Sequence, residues 1–316
     1  MVKIKKINND SISLASKEML KGNLIAFPTE TVYGLGADAT NDKAIAKIFS
    51  NKNRPSFNPL IVHVSSSDEA KKISLFNKKV EKITDSFWPG PLTIVLERKK
   101  ECKISLLVSA GLNTVALRQP NNKIALDLIK NLNRPIAAPS ANKFGFLSPT
   151  LAKHVKKQFE GHNDVSFILD GGKTNIGIES TVIGFDKDNK LVIYRHGGIT
   201  KEEIEDIAGE KIIEFIDEGS IDKVKISPGM IKKHYAPKVP LRINILKPQK
   251  NETFIGFGPN YNEPNLSKEG DLDEAAANLF LLLEKYENTG KPISIAPIPN
   301  IGIGVAINDR LKRATY

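Results

Sequence analysis

The sequence predicts an α/β protein, α+β-like in its connections: a mixed, twisted sheet with helices, followed by a small C-terminal α/β domain of Rossmann-like pattern. Three observations carry this expectation. Short apolar runs bounded by turn residues recur through the first 200 residues. Helical repeats separate some of these runs and only turns separate others, whereas a pure doubly wound sheet needs a crossover helix between parallel neighbours. A stretch rich in Gly, Pro and Lys then sets off the tail.

In chain order, Ile12, Ala15 and Met19 share one face of a helix over 11–21, and Gly22 is placed to end it in a left-handed cap. A buried strand follows at 24–27, then a turn-rich loop over 28–40, then a helix over 43–49. Apolar strands are expected at 60–64, 92–96, 115–117, 136–138, 167–169, 182–185 and 191–194, with helical patterns at 80–87, 124–132 and 151–159. A helix at 201–207 closes a first domain spanning 1–217. Residues 218–240 lack an apolar period and read as a linker. In the last domain, 241–316, a strand is expected at 253–257 and another at 293–296. Between them Asp271 opens a helix with Glu274 placed for a capping box, and Leu272, Ala275, Ala276, Leu279, Phe280 and Leu283 keep helical spacing.

With 316 residues, 40% hydrophobic and 26% charged, the chain can bury a large core, which excludes disorder, collagen and coiled coil. The longest apolar stretch, 275–283, contains Asn278 and falls far short of the roughly 20 residues a bilayer span requires. The opening MVKIKKINND has no apolar run behind its lysines, so no signal peptide is expected and a cytoplasmic protein is. Cys102 is the only cysteine, which excludes an internal disulfide and a multi-cysteine zinc site. Histidines 63, 154, 162, 196 and 234 show no close metal-binding spacing. The net charge of +10 is concentrated in residues 1–180, which carry +11; this suits an anionic partner, nucleotide or nucleic acid, or simply a solvated surface. Only eight of the 46 basic residues are arginine, so each arginine in a motif is informative as a rigid bidentate fork.

Several clusters could carry chemistry. PTETVYGLGADAT at 28–40 follows a strand, where open α/β sheets bind ligands, and the alternating Thr29, Thr31 and Tyr33 could share one side of an extended stretch or bond their own turn. Pro55 disfavours helix at Arg54, which predicts Lys52 and Arg54 in extended chain, projecting together toward a polyphosphate or into solvent. Asn58 and His63 follow. Ser140 and Asn142, just after a buried run, offer two neutral polar groups at i and i+2, with Ser148 nearby; they suit phosphate or ribose contact, or turn capping. Arg118 and Arg195 each end an apolar strand, Glu179-Ser180-Thr181 enters another, and His234-Tyr235 sits in the linker. Gly172-Lys173-Thr174 lacks the first glycine of a Walker A loop, and Gly256-Phe257-Gly258 is too short for a dinucleotide fingerprint.

PTETVYGLG, Lys52-x-Arg54, Ser140-x-Asn142, ESTV at 179–182, YRHG at 194–197 and SPGMxxxHYAP at 227–237 together resemble the YrdC-like family. The linker and tail resemble its two-domain form, the threonylcarbamoyl-AMP synthases. The resemblance implies joining L-threonine, bicarbonate and ATP into threonylcarbamoyl-AMP and pyrophosphate, for threonylcarbamoyladenosine modification of tRNA. It further implies that Thr31, His63, Arg118, Ala138 and Ser180 or Thr181 hold threonine. Lys52, Arg54, Asn58, Thr114, Ser140, Asn142, Ser148, Arg195 and Tyr235 would surround ATP, with Lys52, Arg54, Ser140 and Asn142 carrying the catalytic charge stabilisation. Mg2+ would be bound mainly through ATP phosphates. The linker would cross the pocket with Tyr235 covering the nucleotide, and transient contact with tRNA or its threonylcarbamoyl-transferring machinery would follow. Two alternatives are an RNA-binding module without catalysis and a relative that adenylates carbamate itself.

Overall fold

The computed structural model describes residues 2–215 and 234–315. The first half runs β1 (Lys3–Lys6), α1 (Asn9–Leu20), β2 (Leu24–Phe27), β3 (Gly34–Asp38), α2 (Asp42–Lys52), β4 (Ile61–His63), α3 (Ser67–Ile73), α4 (Lys78–Phe87), β5 (Leu92–Glu97) and β6 (Thr114–Arg118). It continues through α5 (Lys123–Leu132), β7 (Ile136–Ala137), α6 (Ala152–Phe159), β8 (Val165–Asp170), β9 (Thr181–Phe185), β10 (Leu191–Arg195), α7 (Lys201–Ala208) and β11 (Ile213–Glu214). The tail holds β12 (Leu241–Arg242), β13 (Thr253–Ile255), α8 (Leu272–Glu287), β14 (Ile293–Ile295) and α9 (Gly304–Ala314).

The first eleven strands form one sheet in the order β1-β8-β2-β3-β7-β4-β6-β5-β9-β10-β11. Its pairings mix parallel (β4 with β6, β5 with β9) and antiparallel (β2 with β3, β5 with β6), the mixed sheet expected from the uneven spacing of helices. Alternation on β6 sends Val115 and Leu117 into the main core and leaves Thr114, Ala116 and Arg118 on the other face. There Ile61, Val95, Ala116 and Val182 form a small cluster of their own, with Tyr194 against it.

Helix ends follow local chemistry. Asn8 caps α1 in a reciprocal box with Ser11, and the helix stops before Gly22, whose φ of +84° only glycine adopts freely. The tail is an all-parallel three-stranded sheet, β12-β14-β13, packed by α8 and α9. Its core also takes in Leu147, Ile178 and Tyr235, so its packing continues into the side chains that precede it in sequence. Lys157 of α6 adds ion pairs to Glu284 and Glu287 of α8, at 2.8 and 3.0 Å. No helix among the described residues is long and apolar enough to cross a membrane.

Four strands, β1, β3 and the two-residue β11 and β12, and two helices were not expected from pattern. β1 is a lysine-rich edge strand, and β3 carries glycines where a loop was predicted. A Cβ on Gly36 would lie 2.6 Å from the Phe27 ring and 2.9 Å from Ile136, so that glycine marks close strand packing rather than a turn. α3 is short, and α9 has no side-chain cap to announce it.

Candidate active site

The ends of β2, β4, β6, β9 and β10 converge on one cleft. Neighbouring register places His63, at the end of β4, opposite Arg118, at the end of β6. Arg118 is 3% exposed; its Nη1 donates to Thr31 Oγ1 at 3.1 Å and its Nε to the Gly90 carbonyl at 3.3 Å. Its Nη2 lies 2.7 Å from Glu30 Oε1, an ion contact rather than a well-aligned hydrogen bond. Thr31 Oγ1 also lies 2.8 Å from Thr29 Oγ1, which donates to the Val32 carbonyl at 2.7 Å. Tyr33 does not share their side: its hydroxyl donates to the Gly172 carbonyl at 2.8 Å and accepts from Gly171 N at 3.1 Å.

Across the cleft, Arg195 donates to the Ser180 carbonyl from Nε at 3.1 Å and from Nη2 at 2.9 Å, and to Ser180 Oγ at 3.1 Å. Gly197 holds this corner closed, because a Cβ there would sit 2.3 Å from the Ser180 carbonyl carbon. Thr181 turns away and donates its hydroxyl to the Ile199 carbonyl, so of the Ser180-Thr181 pair only Ser180 faces the cleft.

Lys52 and Arg54 depart from expectation. Helix α2 runs through Lys52 and ends because Asn53 takes the left-handed conformation, φ +52°, which asparagine tolerates. The chain reverses between the two cations, so they do not project together from extended backbone. Arg54 lines the cleft, held by Asn58, whose carbonyl and Oδ1 accept from Nε at 3.1 Å and Nη2 at 2.7 Å. Lys52 is buried behind the wall; its Nζ donates to the Ser140 carbonyl at 2.6 Å and to the Asn142 carbonyl. Ser140 itself lines the cleft beside Ala138, while Asn142 lies behind, donating to the Lys143 and Phe146 carbonyls at 2.9 Å and leaving its Oδ1 unpaired. Ser148 is also behind, donating to Glu179. Thr114 lies outside the cleft, four residues up β6 from Arg118 but on the same face, at the edge of a neighbouring groove.

Tyr235 lines the cleft in a conformation unusual for tyrosine, φ +64°, with its ring stacked on Phe280 at 5.6 Å. Of the linker 218–240, expected to cross the pocket, residues 218–233 lie outside the described residues. Three charged residues at the site carry no ligand-binding signal in the sequence: Glu30, Glu179 and Arg310. The first two stood inside recognised motifs, but a carboxylate beside anionic ligands has no sequence signal without its partner. Arg310 stands 115 residues beyond Arg195, on the helix that pattern missed.

The cleft is electrostatically taut. Burial and the nearby Arg195 bring Arg54 down to about 9, and burial together with Arg54 pushes Lys52 well below the usual lysine range. Burial, helped by Arg118, holds His63 at about 3, so it is a neutral imidazole near pH 7; burial does the same to His234, also at about 3. Both histidines refuse protons that the unfolded chain binds below about 6.5, so stability falls as pH drops from 6.5 toward 3. Each is expected to cost about 2 kcal/mol by pH 5. Thermal unfolding between pH 7.5 and 5 checks this; a melting temperature that does not move would show that these imidazoles are not buried as neutral species.

Comparison with known proteins adds to this geometry. Residues 17–197 match a family model described as "Telomere recombination", and residues 199–315 match one described as "Threonylcarbamoyl-AMP synthase, C-terminal domain". A threonylcarbamoyl-AMP synthase of Pyrococcus abyssi is 39% identical, the alignment covering 98% of this chain and 95% of the relative. One from Bacillus subtilis is 38% identical over 97% of this chain and 93% of its own. The crystal structure of P. abyssi Sua5 complexed with L-threonine superposes with a TM-score of 0.89 at 35% identity, covering 100% of this chain and 97% of that one.

Proposed function

The chain belongs to the family of two-domain threonylcarbamoyl-AMP synthases, and on that premise we propose that its cleft joins L-threonine, bicarbonate and ATP into threonylcarbamoyl-AMP and pyrophosphate. The observation that carries the reading is the pair Arg54 and Arg195. Both guanidiniums line one cleft, Arg195 buried and Arg54 half-buried, and neither has a carboxylate salt-bridge partner among the described residues. Two such charges call for an anionic ligand, and a triphosphate satisfies both.

Threonine fits the opposite end. Arg118 is the fork for its carboxylate, already oriented by Thr31 and the Gly90 carbonyl, with neutral His63, Ala138 and Ser180 around the rest. Threonine's neutral amine takes up bicarbonate with loss of water, giving a carbamate that is already anionic. A carbamate oxygen then forms a bond to the α-phosphorus while the bond to the pyrophosphate oxygen breaks. No strong general base is required, so positioning and charge stabilisation are the residues' task. Arg54, Arg195 and Ser140 face the phosphates; Lys52 and Asn142 fix the Ser140 loop from behind, Ser148 reaches the cleft through Glu179, and Tyr235 covers the nucleotide. Thr114 lies about 13 Å along the strand from Arg118, within reach of the nucleoside of an extended ATP.

Mg2+ would enter this cleft as a companion of the phosphates. Glu30 and Glu179 are each committed to an arginine, and among the described residues no group of three His, Cys, Asp or Glu side chains could cage an ion. The ion would supply phosphate charge neutralisation. We place the reaction in the cytoplasm, with the labile product passed to tRNA or to the machinery that modifies it. The test is pyrophosphate release with ATP, Mg2+ and labelled bicarbonate. Release that requires L-threonine and carries label into an adenylate is the expected result; threonine-independent release would favour adenylation of carbamate itself, and none at all with salt-sensitive RNA binding would favour an RNA-binding module.

A further inference from the structure

Glu179 is an anion on the wall where the phosphates would lie, beside Arg54, Ser140 and Arg195. Burial alone would raise its pKa, but the guanidiniums of Arg310 and Arg195 overcome that and hold it at about 2, so it stays charged at working pH. An uncompensated carboxylate here would repel ATP through a low-dielectric medium, where such repulsion is poorly screened.

The compensating charge comes from the other domain. Arg310 of α9 is 1% exposed, and its Nε donates to Glu179 Oε2 at 2.9 Å. Its Nη1 donates to Asp309 Oδ2 at 2.8 Å, and its guanidinium sits 5.2 Å from the Tyr235 ring centroid. The other oxygen of Glu179 accepts from Ser148. A continuous polar chain, Asp309 to Arg310 to Glu179 to Ser148, therefore connects the last helix to the cleft.

We propose that Arg310 is a positioning residue for the nucleotide: by fixing Glu179 and cancelling its charge, it lets a polyphosphate settle against Arg54 and Arg195, which makes the C-terminal domain part of the ATP site. This rests on the reading that the cleft takes ATP. An ion pair serving only to dock the domains would change stability when broken but would leave ATP recognition alone.

The experiment compares wild type, Arg310→Gln, Arg310→Lys and the double variant Arg310→Gln/Glu179→Gln. For each, KM for ATP and kcat are read from threonine-dependent pyrophosphate release, and ATP affinity from calorimetry. Arg310→Gln, which exposes the Glu179 charge, should raise KM for ATP at least about tenfold while kcat stays within about threefold. Arg310→Lys keeps the charge, and the double variant removes both charges; each should recover most of the KM for ATP that Arg310→Gln loses. A KM for Arg310→Gln within threefold of wild type, or a double variant as weak as the single one, overturns the proposal. Should Arg310→Gln not fold, a tenfold rise in either of the other variants overturns it and retention in both supports it. Absence of pyrophosphate release by wild type overturns the assigned reaction instead, and ATP affinity across the four proteins then decides Arg310 separately.

Discussion

Arg118→Gln is expected to remove threonine-dependent pyrophosphate release by about three orders of magnitude in kcat/KM for threonine, roughly 4 kcal/mol. Two losses combine. Glutamine cannot present the bidentate cation that a carboxylate requires, and the Thr31 hydroxyl loses the Nη1 donor that orients it, 3.1 Å away. Glu30 is then left as a buried carboxylate, 7% exposed, without its 2.7 Å partner. Breaking a buried ion pair from one side costs about 3–5 kcal/mol, which lowers the melting temperature on the order of 10 °C. The two losses separate in the double variant Arg118→Gln/Glu30→Gln, which should regain most of the melting temperature and none of the threonine dependence. Arg118→Gln with near-normal KM for threonine would remove Arg118 from the substrate site. A double variant as unstable as the single one would show that Glu30 is satisfied by other groups.

That pair also shows where sequence reading stops. Arg118 was legible because an arginine ending an apolar strand in an arginine-poor chain is unusual. Its partnership with Glu30 was not, since the two residues meet only when β2 and β6 are placed in one sheet. The strands themselves were recovered where apolar residues are continuous, as in β2 and β5, because burial on both faces leaves that signature. β3 was lost because close packing against Phe27 demands glycine, which in one dimension looks like a turn. Thr181 against Ser180 could not be decided, because in a strand adjacent hydroxyls face opposite sides and only the register says which side is the cleft. Arg310 was silent for a different reason: α9 has no capping side chain, and its one buried arginine gains meaning only from Glu179, 131 positions earlier.

Lys52→Met is expected to lower kcat by 10²–10³-fold, about 3–4 kcal/mol, while moving the melting temperature by only a few degrees. The contrast with Arg118 follows from what each cation contacts. Lys52 has no carboxylate partner among the described residues; its ammonium donates to the carbonyls of Ser140 and Asn142. Burial of that ammonium works against folding, as its strongly lowered pKa records, and methionine relieves the penalty while filling a similar volume. Against this relief stand two carbonyls that lose a donor, at about 1–3 kcal/mol each where buried, so the net change in stability is small. The loop they belong to is the one that pairs Gly34 with Ser140 and brings the Ser140 side chain to the cleft. Without the ammonium, that loop loses both its brace and the positive field behind the phosphates, and the loss falls on the charge that develops in the transition state rather than on the fold. Steady-state kinetics and a melting curve on the same preparation test this. A large drop in melting temperature with kcat preserved would make Lys52 a structural brace alone, and the cleft's cationic chemistry would then rest on Arg54 and Arg195.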